Sequence, residues 1–273
     1  MKIQVGHSPD ADDAFMFYAL AHNKIDTGDL QFEHTLIDIE TLNRWAFQKK
    51  LEVTALSVHA YAHVASSYAL LKQGASIGEK YGPIVVAREP MSMAELASKK
   101  IAVPGELTTA FLTLCIALDR FQYEVIPFDQ IFDAVRNKSV DAGLIIHEGQ
   151  LTYPQFGFHN VLDLGQWWYD RTSLPLPLGV NGVRKDLGPQ LCAQISDCLK
   201  RSIDYGLEHR NEAMGYAMKY ARNTEQNLTD RFVGMYVNHF TQEIGDRGTE
   251  AIRRLLEEGH AKGIVPAVKL EFI

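Results

Sequence analysis

A chain of 273 residues with 46% hydrophobic and 22% charged side chains can bury one large core or two smaller ones without disulfides or metal, and its composition is neither disordered nor fibrous. The formal charge of -7 argues against a nucleic-acid or anionic-membrane surface and leaves small-molecule work as the expectation. The longest apolar runs are too short to cross a bilayer, and Cys115, Cys192 and Cys198 are odd in number without the close pairing that structural zinc needs.

The chain opens Met1-Lys2-Ile3-Gln4-Val5-Gly6, strand-like with no apolar leader, so a cytoplasmic location is expected. Residues 3–6 run into the polar turn 8–13, which opens a helix over 14–20. Ser8, Asp10 and Asp12 are candidate caps, and the acidic cluster suits the positive end of the helix dipole. A turn after the first strand of an α/β unit is also where ligands bind, which makes Asp12 a candidate contact. Residues 30–37 read as a second strand, and Ile39, Leu42, Trp45 and Ala46 then recur at helical spacing.

Residues 53–57 form a short strand that meets a helix over 58–64, with Ser57 placed to cap it. The hydroxyl and the free backbone donors of such a helix start make a seat for a ligand carboxylate or hydroxyl. His59 and His63 are four apart and share a helical face, but Ala60 stands where a metalloprotease has its base and no third ligand announces itself. A metal clamp is therefore not expected. Residues 83–88 are a strongly buried strand, and the break at Pro90 is taken as the first crossing between two domains. A strand over 100–103 ends in Pro104-Gly105, after which Thr108, Thr109 and Ala110 open an apolar helix reaching Leu118. A strand over 123–127, a helix over 131–137 and a strand over 141–146 follow, and the last delivers His147.

Residues 161–165 read as a strand, and the two prolines of Leu174-Pro175-Leu176-Pro177-Leu178-Gly179 forbid a helix and suggest an extended return, the second crossing. From Gly188 onward the pattern is almost entirely helical. The expected fold is thus α/β: a large lobe of residues 1–89 and 178–273 and a small lobe of 90–177, joined by two crossings around an interlobe cleft. Loops far apart in sequence would line that cleft: 8–13, Ser57, Thr108 to Ala110, and His147. A buried strand that ends in a histidine fixes the imidazole while the following loop leaves it reachable, as a base requires. The competing reading is a histidine hydrogen-bonded to close the strand.

Thr41-Leu42-Asn43-Arg44-Trp45-Ala46, Val103-Pro104-Gly105 with Thr108-Thr109-Ala110, Gly143 to His147 with Glu148, Thr152-Tyr153-Pro154 and the proline-rich 174–179 together resemble the 1,4-dihydroxy-6-naphthoate synthase family of the futalosine route to menaquinone. The resemblance spans the chain in order without large insertions. It implies a periplasmic-binding-protein-like fold of the second type with no transport role, no redox cofactor and no metal. It implies His147 as proton acceptor, with substrate contacts on Ala55, Leu56 and Ser57 and on Thr109 and Ala110. The implied reaction is a lyase step on cyclic dehypoxanthinyl futalosine, a small carboxylate: a base takes a proton, a carbon–carbon bond opens, and the sugar-derived piece leaves as the ring system aromatises. A neutral imidazole of ordinary pKa ~6.5 suits that task; Glu148 is a candidate to orient it, but the preferred reading is a solvated neighbour pointing outward.

Two departures stand out. The family's Cys-Pro-Asn-Asp-Thr turn is Asp10-Ala11-Asp12-Asp13-Ala14 here, and a lysine that some members carry is Ala55. The competing functions are the chorismate dehydratase of the same route, against which Gly-Leu-Ile-Ile-His-Glu argues, and a solute receptor in which His147 only binds. A regulator's effector domain is a third reading, against which no helix-turn-helix segment precedes the first strand.

Overall fold

A computed structural model describes residues 1–221 and 225–273. The chain first alternates β1 (Lys2–His7), α1 (Ala11–Ala21), β2 (Gln31–Leu36), α2 (Ile39–Phe47), β3 (Val53–Ser57) and α3 (Val58–Val64), then adds β4 (Tyr68–Leu70) and β5 (Ser76–Gly78). It continues through β6 (Ile84–Ala87), α4 (Met93–Leu96), β7 (Lys100–Val103), α5 (Thr109–Leu118) and β8 (Gln122–Val125). Next come α6 (Ile131–Arg136), β9 (Ala142–Ile145), α7 (Gly149–Thr152), β10 (His159–Asp163) and α8 (Leu164–Thr172). A long β11 (Leu176–Arg184) leads back into α9 (Pro189–Glu208), α10 (Arg210–Ala217), α11 (Gln226–Tyr236), α12 (His239–Gln242) and α13 (Gly245–Ala261).

Two mixed sheets result. The first has the order β2-β1-β3-β11-β4 with β5 also on β11, and the second has β10-β6-β9-β7-β8. Strand β6 pairs antiparallel with β9 and β10. The outward crossing therefore falls between β5 and β6, ahead of the boundary that Pro90 suggested, and residues 84–87 belong with the small lobe rather than with 1–89. The reason is that Ile84, Val85, Val86 and Ala87 are all buried. A strand covered on both faces carries no periodicity that says which sheet it joins. The chain returns to the first sheet through β11, which pairs antiparallel with β3.

The two connections touch. A Cβ placed on Gly165, at the start of α8, would lie 2.0 Å from the carbonyl of Tyr81, so the backbones pass at a distance that only glycine permits. Apolar packing also runs across the lobes: Leu56, Val58 and Tyr61 of the large lobe share one buried cluster with Ile101, Val103 and Leu112 of the small one. At about 1.5–3 kcal/mol per fully buried large side chain, this shared core favours the closed arrangement. No helix among the described residues is long and apolar enough to cross a membrane.

Candidate active site between the lobes

The first wall comes from the β1–α1 turn. His7 is buried, stacks on Phe17 at 4.5 Å, and its Nδ1–H donates to the Ser8 carbonyl at 3.1 Å. Its Nε2 then accepts from His34 Nδ1 at 3.2 Å, which sets both tautomers. Burial holds the two imidazoles neutral, pushing His7 down to about 3 and His34 to about 4. The Ser8 amide donates to Asp13 at 2.7 Å and the Ser8 hydroxyl to Asp10 at 2.8 Å. None of the acidic side chains caps α1: Asp10 occupies the cap position but its carboxylate takes the Ser8 hydroxyl rather than an amide of the helix, while Asp12 and Asp13 already lie in the first turn.

Asp12 instead lines the cavity. Burial first, then the charges of Asp13, Asp10 and Glu148, hold its carboxyl well above the usual range. Asp13 rises to about 6, burial outweighing the opposing Ser8 amide. The expected contact at Asp12 is thus brought into the cleft as a group that favours its neutral form.

The second wall joins the two helix starts. Ala55, Leu56 and Ser57 line the cavity from the large lobe, and Thr108, Thr109 and Ala110 line it from the small lobe. Their hydroxyls differ in what remains free. Thr108 caps α5 by accepting from the Phe111 amide at 3.1 Å and donates to the Gly105 carbonyl at 2.9 Å. Thr109 accepts from the His59 amide and donates to the Leu178 carbonyl. Ser57 sits at the start of α3 but makes no cap bond, contrary to the expectation; its oxygen takes the Asn43 side-chain amide at 3.0 Å. Thr109 and Ala110, which open the ten-residue α5 and line the cavity, carry its first N–H groups at the positive end of its dipole, where no carbonyl of the helix can take them.

His147 follows β9 as its position in sequence implied, but Ile146 rather than His147 lines the cavity. The imidazole packs edgewise against Phe128 and Phe132, with ring centroids at 5.6 and 6.0 Å. Its Nδ1 accepts the Gly149 amide at 2.9 Å, so the neutral ring carries its proton on Nε2. Glu148 is not the outward, solvated neighbour expected: it is buried, with Oε2 3.8 Å from His147 Nδ1 and its charge felt by Asp12. A turn later, Gln150 accepts from Tyr236 Oη at 2.7 Å, a buried bond that ties the His147 segment to the large lobe. Gln150 and Tyr236 have no signal in sequence, because each gains its meaning from a partner 86 residues away.

The cavity these segments enclose spans about 670 Å³, counting the space at its mouth that is open to solvent. His59 and His63 stand with ring centroids 5.6 Å apart, and His59 Nδ1 donates to the Thr108 carbonyl, an interlobe tie. All three cysteines are free.

Comparison with known proteins covers the whole of this architecture. The family model described as menaquinone biosynthesis matches residues 3–261. The chain is 40% identical over 262 residues to 1,4-dihydroxy-6-naphthoate synthase of Thermus thermophilus, covering 96% of this chain and 95% of that one. It is 35% identical over 272 residues to the enzyme of the same name from Streptomyces coelicolor, covering 97% and 95%. A crystal structure of an Archaeoglobus fulgidus protein superposes with a TM-score of 0.93 at 48% identity, covering 97% of this chain and 98% of that one. The alkanesulfonate-binding protein of Xanthomonas axonopodis superposes at 0.74 with 10% identity, covering 97% and 94%, a likeness of fold alone that makes the architecture periplasmic-binding-protein-like.

Proposed function

Because the chain belongs to the menaquinone biosynthesis family and is an enzyme of that route, we propose that it is a 1,4-dihydroxy-6-naphthoate synthase, a carbon–carbon lyase acting on cyclic dehypoxanthinyl futalosine. The observation that carries the reading is the convergence of two helix starts from opposite lobes on one cavity, with the segment bearing His147 closing beside them. The substrate carboxylate sits at the N-terminus of α5, on the N–H groups of Thr109 and Ala110, and Ser57 donates its hydroxyl alongside. Ala55 and Leu56 contribute backbone and shape, so the missing lysine at Ala55 removes a charge without removing the seat.

His147 takes the proton. Its lone pair lies on Nδ1, and protonation there exchanges the Gly149 amide for the Glu148 carboxylate as counter-ion. The carbon–carbon bond then opens, its electron pair stays with the ring that aromatises, and the sugar-derived piece leaves with the new carbonyl. Aromatisation drives the step, so the protein has mainly to position the substrate and exclude water, as the shared interlobe packing does.

A second assignment of the base has its own support. Asp12 lines the cavity while His147 does not, and its raised pKa makes its ionised form a stronger base. The test is a pair of conservative variants assayed for turnover and for substrate binding. His147→Asn is expected to keep affinity within about 3-fold and to lower kcat by 10²–10⁴-fold, the usual worth of a general base. Asp12→Asn is expected to lose less than about 10-fold. The reverse ranking moves the base to Asp12, and binding by wild type with no turnover makes the protein a receptor.

A further inference from the structure

We propose that Asn43 is a positioning residue for the reaction: its side-chain amide holds the Ser57 hydroxyl as a hydrogen-bond donor into the cavity and locks residues 107–109 of the opposite lobe in register with it. The inference rests on the reading that this cavity is the substrate site.

Asn43 is fully buried on α2, three residues after Glu40. Its Oδ1 accepts the Ser57 backbone amide at 2.9 Å, which leaves Nδ2 at the other end of the group. Nδ2 donates to Ser57 Oγ at 3.0 Å and to the Leu107 carbonyl at 3.3 Å. Turning the amide over would set a donor against a donor and an acceptor against a carbonyl, so the partners fix its orientation. All three contacts belong to segments that line the cavity or lead directly into it.

The consequence for Ser57 is directional. Asn43 takes one acceptor position of its oxygen and so turns its proton away from α2, and no carbonyl or carboxylate among the described residues receives that proton in the hydrogen bonds around the cavity. Thr108 and Thr109 have given their protons to the Gly105 and Leu178 carbonyls. Of the three hydroxyls at the two helix starts, Ser57 alone keeps a donor for an oxyanion or hydroxyl of the ligand.

The same helix face reads the other lobe. The Leu107 N–H goes to Glu40 Oε2 at 3.0 Å and the Leu107 carbonyl accepts from Asn43, so both backbone polar groups of this residue are held by α2 just before Thr108 caps α5. Asn43 therefore sets the distance between the Ser57 hydroxyl and the free N–H groups of α5, the two parts of the carboxylate seat.

A double-mutant cycle tests this. Asn43→Asp keeps the shape and the bond from the Ser57 amide, but a carboxylate has no proton to give, so the Ser57 hydroxyl turns to it and away from the ligand. We expect Asn43→Asp and Ser57→Ala each to lower kcat/KM about 30-fold, largely through KM, as for one lost hydrogen bond to a charged group. The double variant is expected to fall no more than about 3-fold below either single one. A merely structural Asn43 gives losses that multiply toward about 10³-fold, and that result overturns the proposal.

Thermal melts accompany each variant. If Asn43→Asp does not fold, Ser57→Ala alone decides, since it leaves the Leu107 bond intact: about 10-fold weaker binding of 1,4-dihydroxy-6-naphthoate is expected, and unchanged binding overturns the proposal. A wild type that binds this product without turning over substrate removes the lyase reading and leaves the cycle legible in affinity. A wild type that turns over while the cycle is additive removes the Asn43 proposal alone.

Discussion

Asp13 on one side, and His7, His34 and His59 on the other, are titratable groups shifted by burial whose effects on stability have opposite signs. Asp13 ionises near 6 in the folded chain against about 4 in an unfolded one. The folded state therefore holds the extra proton between these values, and stability falls as pH rises from about 4 to about 6. His7, pushed down to about 3, and His34 and His59, each to about 4, do the reverse. The stability linked to them is present above the ordinary imidazole pKa of ~6.5 and lost as pH falls toward 4. Because these terms overlap in the wild type, a difference between two chains isolates one of them. Asp13→Asn keeps an acceptor for the Ser8 amide and removes the charge, so its melting temperature minus that of wild type should increase from about pH 4 to about pH 6 and then level off. A difference that is constant across this range contradicts the assignment.

At this scale the sequence was informative about residue type and silent about what each group spends. Ser57, Thr108 and Thr109 all read as hydroxyls at helix starts, and all three reach the cavity. That two of them donate internally depends on the Gly105 and Leu178 carbonyls, the second of which arrives from 69 residues away. His147 was legible as a strand-end imidazole; its Nδ1 bond to Gly149, which decides the tautomer, was not.

At the scale of elements, α2 does the least predictable work. Its apolar spacing through Ile39, Leu42, Trp45 and Ala46 foretold the helix, and Asp38 caps it by accepting from the Thr41 amide at 2.9 Å. The polar residues among those apolar positions carry the contact with the other lobe, and an amphipathic pattern assigns such residues to solvent. Burial raises the Glu40 carboxyl pKa, while Arg44, with Nη2 2.8 Å from Oε1, and the Leu107 amide favour the charged form. Gly105 makes room for this carboxylate: a Cβ there would stand 2.3 Å from Glu40 Oε2.

Gly105→Ala should therefore displace Glu40 from the Leu107 amide, costing about 1–3 kcal/mol of stability and about 10-fold in kcat/KM. Adding Glu40→Ala should remove the clash, leaving the double variant no worse than Glu40→Ala alone. Melting curves and steady-state kinetics check both statements, and additive losses contradict them. The boundary between the lobes was missed for a related reason. A fully buried β6 and the proline after it look the same whichever sheet receives the strand.

Across the whole molecule, one closed cleft gathers what the chain keeps far apart. The Tyr236–Gln150 bond, the Asn43 and Glu40 contacts with Leu107, and the His59 bond to Thr108 all join the lobes around the cavity. The two-lobed topology was legible because strand and helix patterns alternate and then return through a proline-rich strand, which fixes the number of crossings. The closed state was not, since it depends on contacts between side chains of opposite lobes. A receptor and an enzyme of this fold both close on a ligand; the difference is whether the ligand leaves changed. The most direct measurement supplies the purified wild-type protein with cyclic dehypoxanthinyl futalosine, adds no cofactor, and follows both small molecules by mass. The account predicts multiple turnovers that release 1,4-dihydroxy-6-naphthoate and the sugar-derived fragment in equal amounts. Stoichiometric binding with the substrate recovered intact would contradict it.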